Sequence, residues 1–218
     1  QLQLIVTSDR VQLNDSLFIK DVNISNILRN DSLAFNVKMS NSDEANQLDL
    51  NGLVEFTKNE DTIARLSVLP SILKINSEEW RIQEKVRFAI NNGKTLISNF
   101  DLTNGKQQMT IDGLISEDQK DLLVVGFKDF NLKTLNPFTK GFGVKLSGNV
   151  NGMTNLYGIL KAPKVNDDLK IDSLTFNDIY IGTLTDTSSF NNESSKINVF
   201  TRITTENSES FKLTGNLD

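Results

Sequence analysis

MTIDGLIS, residues 109–116, is the stretch from which the fold can be predicted. Apolar Met109, Ile111 and Ile115 alternate with polar residues, which is the period-two pattern of a β-strand with one apolar face. Gly113 stands where that pattern requires another apolar side chain. The segment therefore predicts a strand whose apolar face is interrupted at one position.

Three other stretches repeat this arrangement: LDLNGLVEF (48–56), VKLSGNVNG (144–152) and FKLTGNLD (211–218). A glycine on the apolar face removes side-chain bulk from the inside of a bend. We therefore predict that four glycines curve a sheet around its apolar side: Gly52, Gly113, Gly148 and Gly215. On this interpretation, Gly113→Val should narrow a groove more than it weakens the fold.

Alternation continues along most of the chain. LAFNVKMS (33–40) and EKVRFAIN (84–91) each place apolar residues on one face and charged or amide residues on the other. Runs between turn signals number about fifteen or sixteen, and DTIARLSVLP (61–70) is among the predicted strands. Helix is predicted only in LKTLNPFTKGF (132–142), as one turn that Pro137 ends. The sequence predicts an all-β fold: an elongated, curled antiparallel sheet, or trough, with an apolar interior and minimal helix.

The chain contains no Pro-, Gly- or Ser-rich linker, so residues 1–218 are interpreted as one repeating β-sheet segment without an internal boundary. It begins within strand-like LQLIVT and stops within LTGNLD. We therefore expect it to be part of a longer protein, in which a membrane anchor or targeting signal lies elsewhere. No run of about 18 apolar residues is present.

The composition argues against several classes of function. The net charge is -5 and the lysines are spread along the chain, so neither nucleic acid nor a polybasic membrane patch is predicted. Histidine and cysteine are absent, which excludes imidazole- and thiol-based catalysis. The acidic doublets fall in predicted turns and lack the spacing of a calcium loop. We predict no catalytic residue, no metal site, no cofactor and no enzymatic activity.

The apolar face is compatible with two structures. It could be the closed core of a β-sandwich or barrel, or it could line an open groove for acyl chains. Both structures need the same alternation, and the in-phase glycines favour the curved sheet.

Three blocks of sequence together resemble the TamB family of translocation and assembly proteins in its Bacteroidota form. They are SVLPSILKINSEEWRI (67–82), NFDLTNGKQQMTIDGLIS (99–116) and GNVNGMTNLYGILKAPKV (148–165). The order and spacing of these blocks carry the resemblance, which covers most of residues 48–190.

The resemblance implies a periplasmic segment of a protein anchored in the bacterial inner membrane. It implies a hydrophobic trough that moves phospholipid between the inner and outer membranes during outer-membrane biogenesis. The implied partners are phospholipid acyl chains and an outer-membrane barrel protein of the TamA or BamA type. The apolar positions expected to line the trough are Leu50, Val54, Phe88, Ile90, Phe100, Ile111, Ile115, Leu146, Val150, Val199 and Leu213.

Two other functions remain open at this stage. One is a structural or chaperone β module that binds strands of outer-membrane proteins during their assembly or secretion, through an exposed sheet edge. The other is a carbohydrate-binding sandwich, for which one tryptophan and two tyrosines are a poor supply of stacking residues.

Overall fold

A computed structural model describes residues 1–12, 18–40, 45–59, 62–91, 93–191, 196–205 and 208–217. Over these residues the chain forms sixteen strands of one antiparallel sheet and a single short helical segment. The prediction of an all-β antiparallel sheet with minimal helix is confirmed. The chain separates into two compact units, residues 1–105 and 106–218. Its interpretation as one segment without an internal boundary stays a prediction.

The described residues of unit 1 form nine strands. These are β1 (Leu2–Gln12), β2 (Phe18–Arg29), β3 (Ser32–Ser40), β4 (Gln47–Asn59), β5 (Thr62–Val68), β6 (Ser71–Ile75), β7 (Glu78–Ile82), β8 (Val86–Asn91) and β9 (Lys94–Asn104). β1 to β5 follow one another as antiparallel neighbours, and β8 and β9 continue that order beyond β5. The stretch QLNDSLF (12–18) predicts a tight hairpin around Asn14-Asp15, and this turn lies outside the described residues.

Pro70 divides one long strand of unit 1 into β5 and β6. β4 pairs with β5 through residues such as Gly52 and Val68, and with β6 through Gln47–Asp49. Proline has no N–H for a ladder hydrogen bond, so the pairing must be interrupted there. Asn51 closes the gap: its N–H donates to Ser71 Oγ at 3.0 Å, and its C=O accepts from the Leu69 N–H at 2.9 Å. The predicted strand at 61–70 is therefore β5, ended by its proline.

The core of unit 1 is centred on Trp80, which is fully buried in β7. Trp80 pairs with Leu73 on β6, and Leu73 pairs with Leu48 on β4. Val68 and Val86, which pair across β5 and β8, are also buried. Apolar alternation on neighbouring strands thus converges on the only tryptophan of the chain.

In the part of unit 2 that the structure describes, seven strands follow one another in sequential order. These are β10 (Gln107–Ile115), β11 (Leu122–Asn131), β12 (Leu146–Tyr157), β13 (Lys164–Phe176), β14 (Ile179–Asn191), β15 (Lys196–Thr205) and β16 (Ser208–Leu217). Between β11 and β12 lies the helical segment: a 3₁₀ turn (Leu132–Leu135), α1 (Asn136–Thr139) and a second 3₁₀ turn (Lys140–Phe142). The helical path thus continues past Pro137, where one turn was expected to end, because proline is tolerated in the first turn of a helix.

Three bulges keep the apolar face continuous where the strands bend. Asp21, Asp129 and Ser173 have positive φ inside β2, β11 and β13, each beside a shift in register. The bulge at Asp129 places Phe127 and Phe130 on the same face, with ring centroids 5.5 Å apart. Aspartate and asparagine adopt this left-handed conformation more readily than most residues. Strict alternation in the sequence does not mark these positions.

Candidate functional site

In unit 1 the predicted lining residues lie on one face of the sheet. Val54 pairs with Leu66, and Leu66 pairs with Phe88, so these three side chains form a row across β4, β5 and β8. Leu50 shares the parity of Val54, and Ile90 shares that of Phe88. Phe100 lies two residues before Leu102, which pairs with Ile82 on β7. The row is half-buried, and Ile90 is exposed.

The opposite face of unit 1 is polar and hydrogen-bonded. Asn36 Nδ2 donates to Asp49 Oδ1 at 2.8 Å, and Lys38 Nζ lies 3.0 Å from Asp49 Oδ2. The hydrogen bond from Asn36, followed by the interaction with Lys38, lowers the pKa of Asp49 below its ordinary value. Unit 1 therefore has one apolar face and one polar, solvent-exposed face, as the alternation predicts.

In unit 2 a single row crosses all seven strands. It runs through successive pairs from Ile111 on β10 to Gly215 on β16: Ile111, Val125, Thr154, Asp167, Ser188, Val199 and Gly215. The neighbouring row includes Phe127 and Leu169 and ends at Leu213. The structure thus brings three predicted lining residues of unit 2 onto one face.

Part of this apolar face remains accessible to solvent. Ile111, Ile115 and Val199 are half-buried, and Leu213 is 47% exposed. Among the described residues of unit 2, the only element outside the sheet is the short helical segment. Apart from that segment, which packs against β12, the described residues of unit 2 provide no second layer over the face.

Val150 and Leu146, on β12, have different surroundings. Val150 is only 4% exposed and pairs with Phe130, which is buried as well. The first 3₁₀ turn packs against β12. Val150 is consequently part of the core of unit 2 rather than an accessible lining. Leu146 is half-buried and pairs with the exposed Phe176 at the end of the sheet.

The four in-phase glycines occupy different environments. A Cβ at Gly52 would collide with the ring of Phe35, which pairs with Gly52 from the neighbouring strand β3. Gly113 (φ 120°) and Gly148 (φ 130°) have backbone conformations that residues with a side chain rarely adopt. Gly215 has open space around it. The expectation that Gly113→Val mainly narrows a groove is wrong, because its Cβ would overlap the carbonyl oxygen of Leu122.

Two aspartates interrupt the apolar face of unit 2 on β13 and β14. The Ser188 N–H donates to Asp167 Oδ1 at 2.6 Å, and the hydroxyls of Ser188 and Thr201 donate to Asp186. Burial raises the pKa of Asp167, and the neighbouring Asp186 carboxylate raises it further, against the hydrogen bond from Ser188. The residues expected to line the trough were all apolar, so this pair of carboxylates was not predicted.

This pair predicts a pH dependence of stability. The folded state binds a proton at Asp167 more tightly than the unfolded state does, so its contribution to stability is greatest below the ordinary aspartate pKa near 3.8. That contribution is lost as the pH rises through the raised pKa. Asp167→Asn keeps an oxygen acceptor for Ser188, and we expect it to flatten this decline and to be the more stable variant at pH 7.

Urea unfolding at a series of pH values measures the effect. Thr187→Ala, an exposed neighbour on β14 without an ionisable group, should retain the decline of the parent protein. A parallel decline in the Asp167→Asn protein would show that another group causes it.

A groove of about 690 Å³ lies beside this pair, within β13–β16. Asp167, Ser188, Val199 and Gly215 line it. The volume falls within the range of about 300–1,000 Å³ that is usual for small-molecule sites. Because Gly215 has no side chain, it leaves space next to the apolar Val199.

The described residues offer little for other kinds of chemistry. Within the described ranges, no three Asp or Glu side chains are gathered as metal ligands. No helix in this part of the chain has the length and apolarity needed to cross a membrane. The chain is thus an all-β protein whose candidate site is an accessible apolar sheet face. Comparison with protein-family models, with curated proteins and with solved structures found no match.

Proposed function

We propose that this chain is a periplasmic segment of a TamB-like protein, and that its apolar sheet face carries phospholipid acyl chains between the inner and outer membranes. The observation that carries the proposal is the apolar face of unit 2, where Ile111, Val199 and Leu213 lie in neighbouring rows and remain accessible. A soluble domain normally buries such rows or uses them for binding. The TamB-like order of the sequence blocks supports the choice of lipid.

The physical driving force is the hydrophobic effect. An acyl chain on an apolar surface gains roughly 0.8 kcal/mol for each CH₂ group removed from water. The charged headgroup remains in solvent, so the surface needs no polar binding site for it. Apolar side chains on neighbouring strands, such as Val199 on β15 and Leu213 on β16, let an acyl chain shift from one to the next without full exposure to water.

Charge introduced on the apolar face should abolish lipid binding. We expect Leu213→Asp to reduce bound phospholipid about tenfold, because a carboxylate beside an acyl chain loses solvation. Leu213 is exposed, so the fold should tolerate the change. Native mass spectrometry after incubation with phosphatidylethanolamine measures the bound lipid.

Ser210→Asp is the matched control, since Ser210 is exposed on the same strand and does not line the groove. It should bind lipid as the parent protein does. Equal losses in both variants, or absence of bound lipid in the parent protein, would contradict the proposal.

One observation favours the second candidate, a β module that binds unfolded strands. β1 pairs only with β2 among the described strands, and its Leu2, Leu4 and Val6 are exposed. An open edge with alternating apolar side chains can accept an added strand. On this alternative, an extended peptide with alternating apolar residues would bind the chain, and no lipid would be retained.

A further inference from the structure

Five large apolar side chains are exposed together at one end of unit 2. They form what we call the aromatic rim: Phe138, Phe142, Phe176, Ile179 and Tyr180. Phe142 is 85% exposed and Phe138 is 66% exposed. Isolated exposed apolar residues are common on soluble proteins, whereas a group of this kind indicates a surface that contacts something.

Two neighbouring segments contribute the rim. Phe138 and Phe142 belong to the helical segment, and the others flank the turn between β13 and β14. Lys145, just after the helical segment, joins the two. Its N–H donates to Asn177 Oδ1 and its C=O accepts from the Asn177 N–H, both at 2.8 Å. Its Nζ lies 2.7 Å from Asp178 Oδ1.

The base of the helical segment is held in place by hydrogen bonds. Asn136 Nδ2 donates to the Leu146 carbonyl at 3.0 Å, and Asn136 Oδ1 accepts from the Leu146 N–H at 2.9 Å. Thr139 Oγ1 donates to the Val144 carbonyl at 2.8 Å. Phe138 and Phe142 are therefore presented from a structured turn, and burying them elsewhere would require these bonds to break.

The charge around the rim is positive, although the whole chain is acidic. Residues 130–149, which include the helical segment and the start of β12, contain Lys133, Lys140 and Lys145 but no aspartate or glutamate. Lys133 is exposed within the helical segment itself. Asp178 is the acidic residue of the β13–β14 turn, and it is paired with Lys145. The even spread of lysines along the whole chain conceals this local excess of positive charge.

We propose that the aromatic rim docks this chain on the surface of an anionic lipid bilayer. Phenylalanine and tyrosine at the tip of a structured turn suit the interface between headgroups and acyl chains. Lysines beside them are attracted to anionic headgroups. This is a membrane-surface contact at the end of unit 2, separate from the acyl-chain surface proposed on the sheet face.

Sedimentation with vesicles tests the proposal. The chain should bind vesicles of an equimolar mixture of phosphatidylcholine and phosphatidylglycerol, and should bind phosphatidylcholine alone much more weakly. We expect the Phe138→Ser/Phe142→Ser double variant to lose roughly tenfold or more in partitioning. Lys133→Glu should weaken binding to the anionic vesicles several-fold, and high salt should have the same effect.

Leu160→Ser is the matched control, because Leu160 is an exposed apolar residue in the turn between β12 and β13, at the other end of these strands from the rim. It should bind vesicles as the parent protein does, and circular dichroism should show the same strand content in every variant. The proposal fails if the parent protein does not bind anionic vesicles, if the double variant binds as well as the parent, or if both vesicle types bind equally. Vesicle binding by a parent protein that retains no phospholipid in native mass spectrometry would contradict the acyl-chain proposal alone, so the two failures are distinguishable.

Discussion

Trp80→Ala is expected to lower the free energy of unfolding by about 3–5 kcal/mol, the range typical of an aromatic side chain deleted from a core. Trp80 has no solvent exposure and pairs with Leu73 on β6. Its removal would leave a cavity next to buried Ile75 and Ile82, on the same two strands. Backbone pairing in these short strands limits how far the cavity can collapse.

Urea unfolding followed by circular dichroism measures this loss. In the parent protein, emission from the only tryptophan also reports the unfolding of unit 1. Trp80→Phe should cost clearly less than Trp80→Ala, because the benzyl group fills part of the space.

Ile72→Ala provides the control for the same hairpin. Ile72 lies next to Leu73 on β6 but points to the other face and is 45% exposed. Its replacement should change the free energy of unfolding by less than about 1 kcal/mol. A similar cost for Ile72→Ala and Trp80→Ala would mean that the hairpin, and not the buried indole, determines the stability.

The strands could be predicted because alternation is a local property of the sequence. MTIDGLIS became β10 and LDLNGLVEF became part of β4, with apolar residues of each on one face. The row from Val54 to Phe88 follows from the same alternation on successive strands. The effect of Pro70 is local as well. It separates β5 from β6, and both strands still pair with β4.

The bulges could not be predicted in the same way. Asp129 and Ser173 adopt positive φ because the register of the neighbouring strand changes there, and a single sequence does not give that register. Each bulge shifts the parity of the residues after it. Phe127 and Phe130 are three positions apart and therefore lie on the same face, whereas strict alternation predicts opposite faces.

The accessibility of the site also depends on tertiary packing. Val150 and Val199 both lie in alternating apolar and polar sequence. The helical segment packs against β12 and Val150 is buried, while Val199 is half-buried and lines the groove. Asp167 belongs to one of the acidic doublets that were expected in turns, but it lies within β13, at an apolar phase of that strand. Its role depends on Asp186, which is brought near only by strand pairing.

Gly113→Ala is expected to destabilise the protein by about 2–3 kcal/mol. The backbone at Gly113 has a φ of 120°, which strains any residue with a Cβ by about 1–3 kcal/mol. The added methyl would also overlap the Leu122 carbonyl oxygen on β11. Relief of that overlap requires β10 and β11 to separate, which weakens ladder hydrogen bonds between them. Urea unfolding followed by circular dichroism measures the loss.

Gly215→Ala tests whether glycine is required by its backbone conformation or only by its position in the apolar alternation. Gly215 has the same phase as Gly113, yet no atom lies near the place that an added methyl group would take, and its φ is not in the left-handed region. Alanine there should be neutral or stabilise the fold by up to about 1 kcal/mol, because it restricts the unfolded chain. Gly152, with a φ of 122°, should behave like Gly113. If Gly113→Ala and Gly215→Ala have equal effects, the shared phase, and not the backbone conformation, is what selects glycine at these positions.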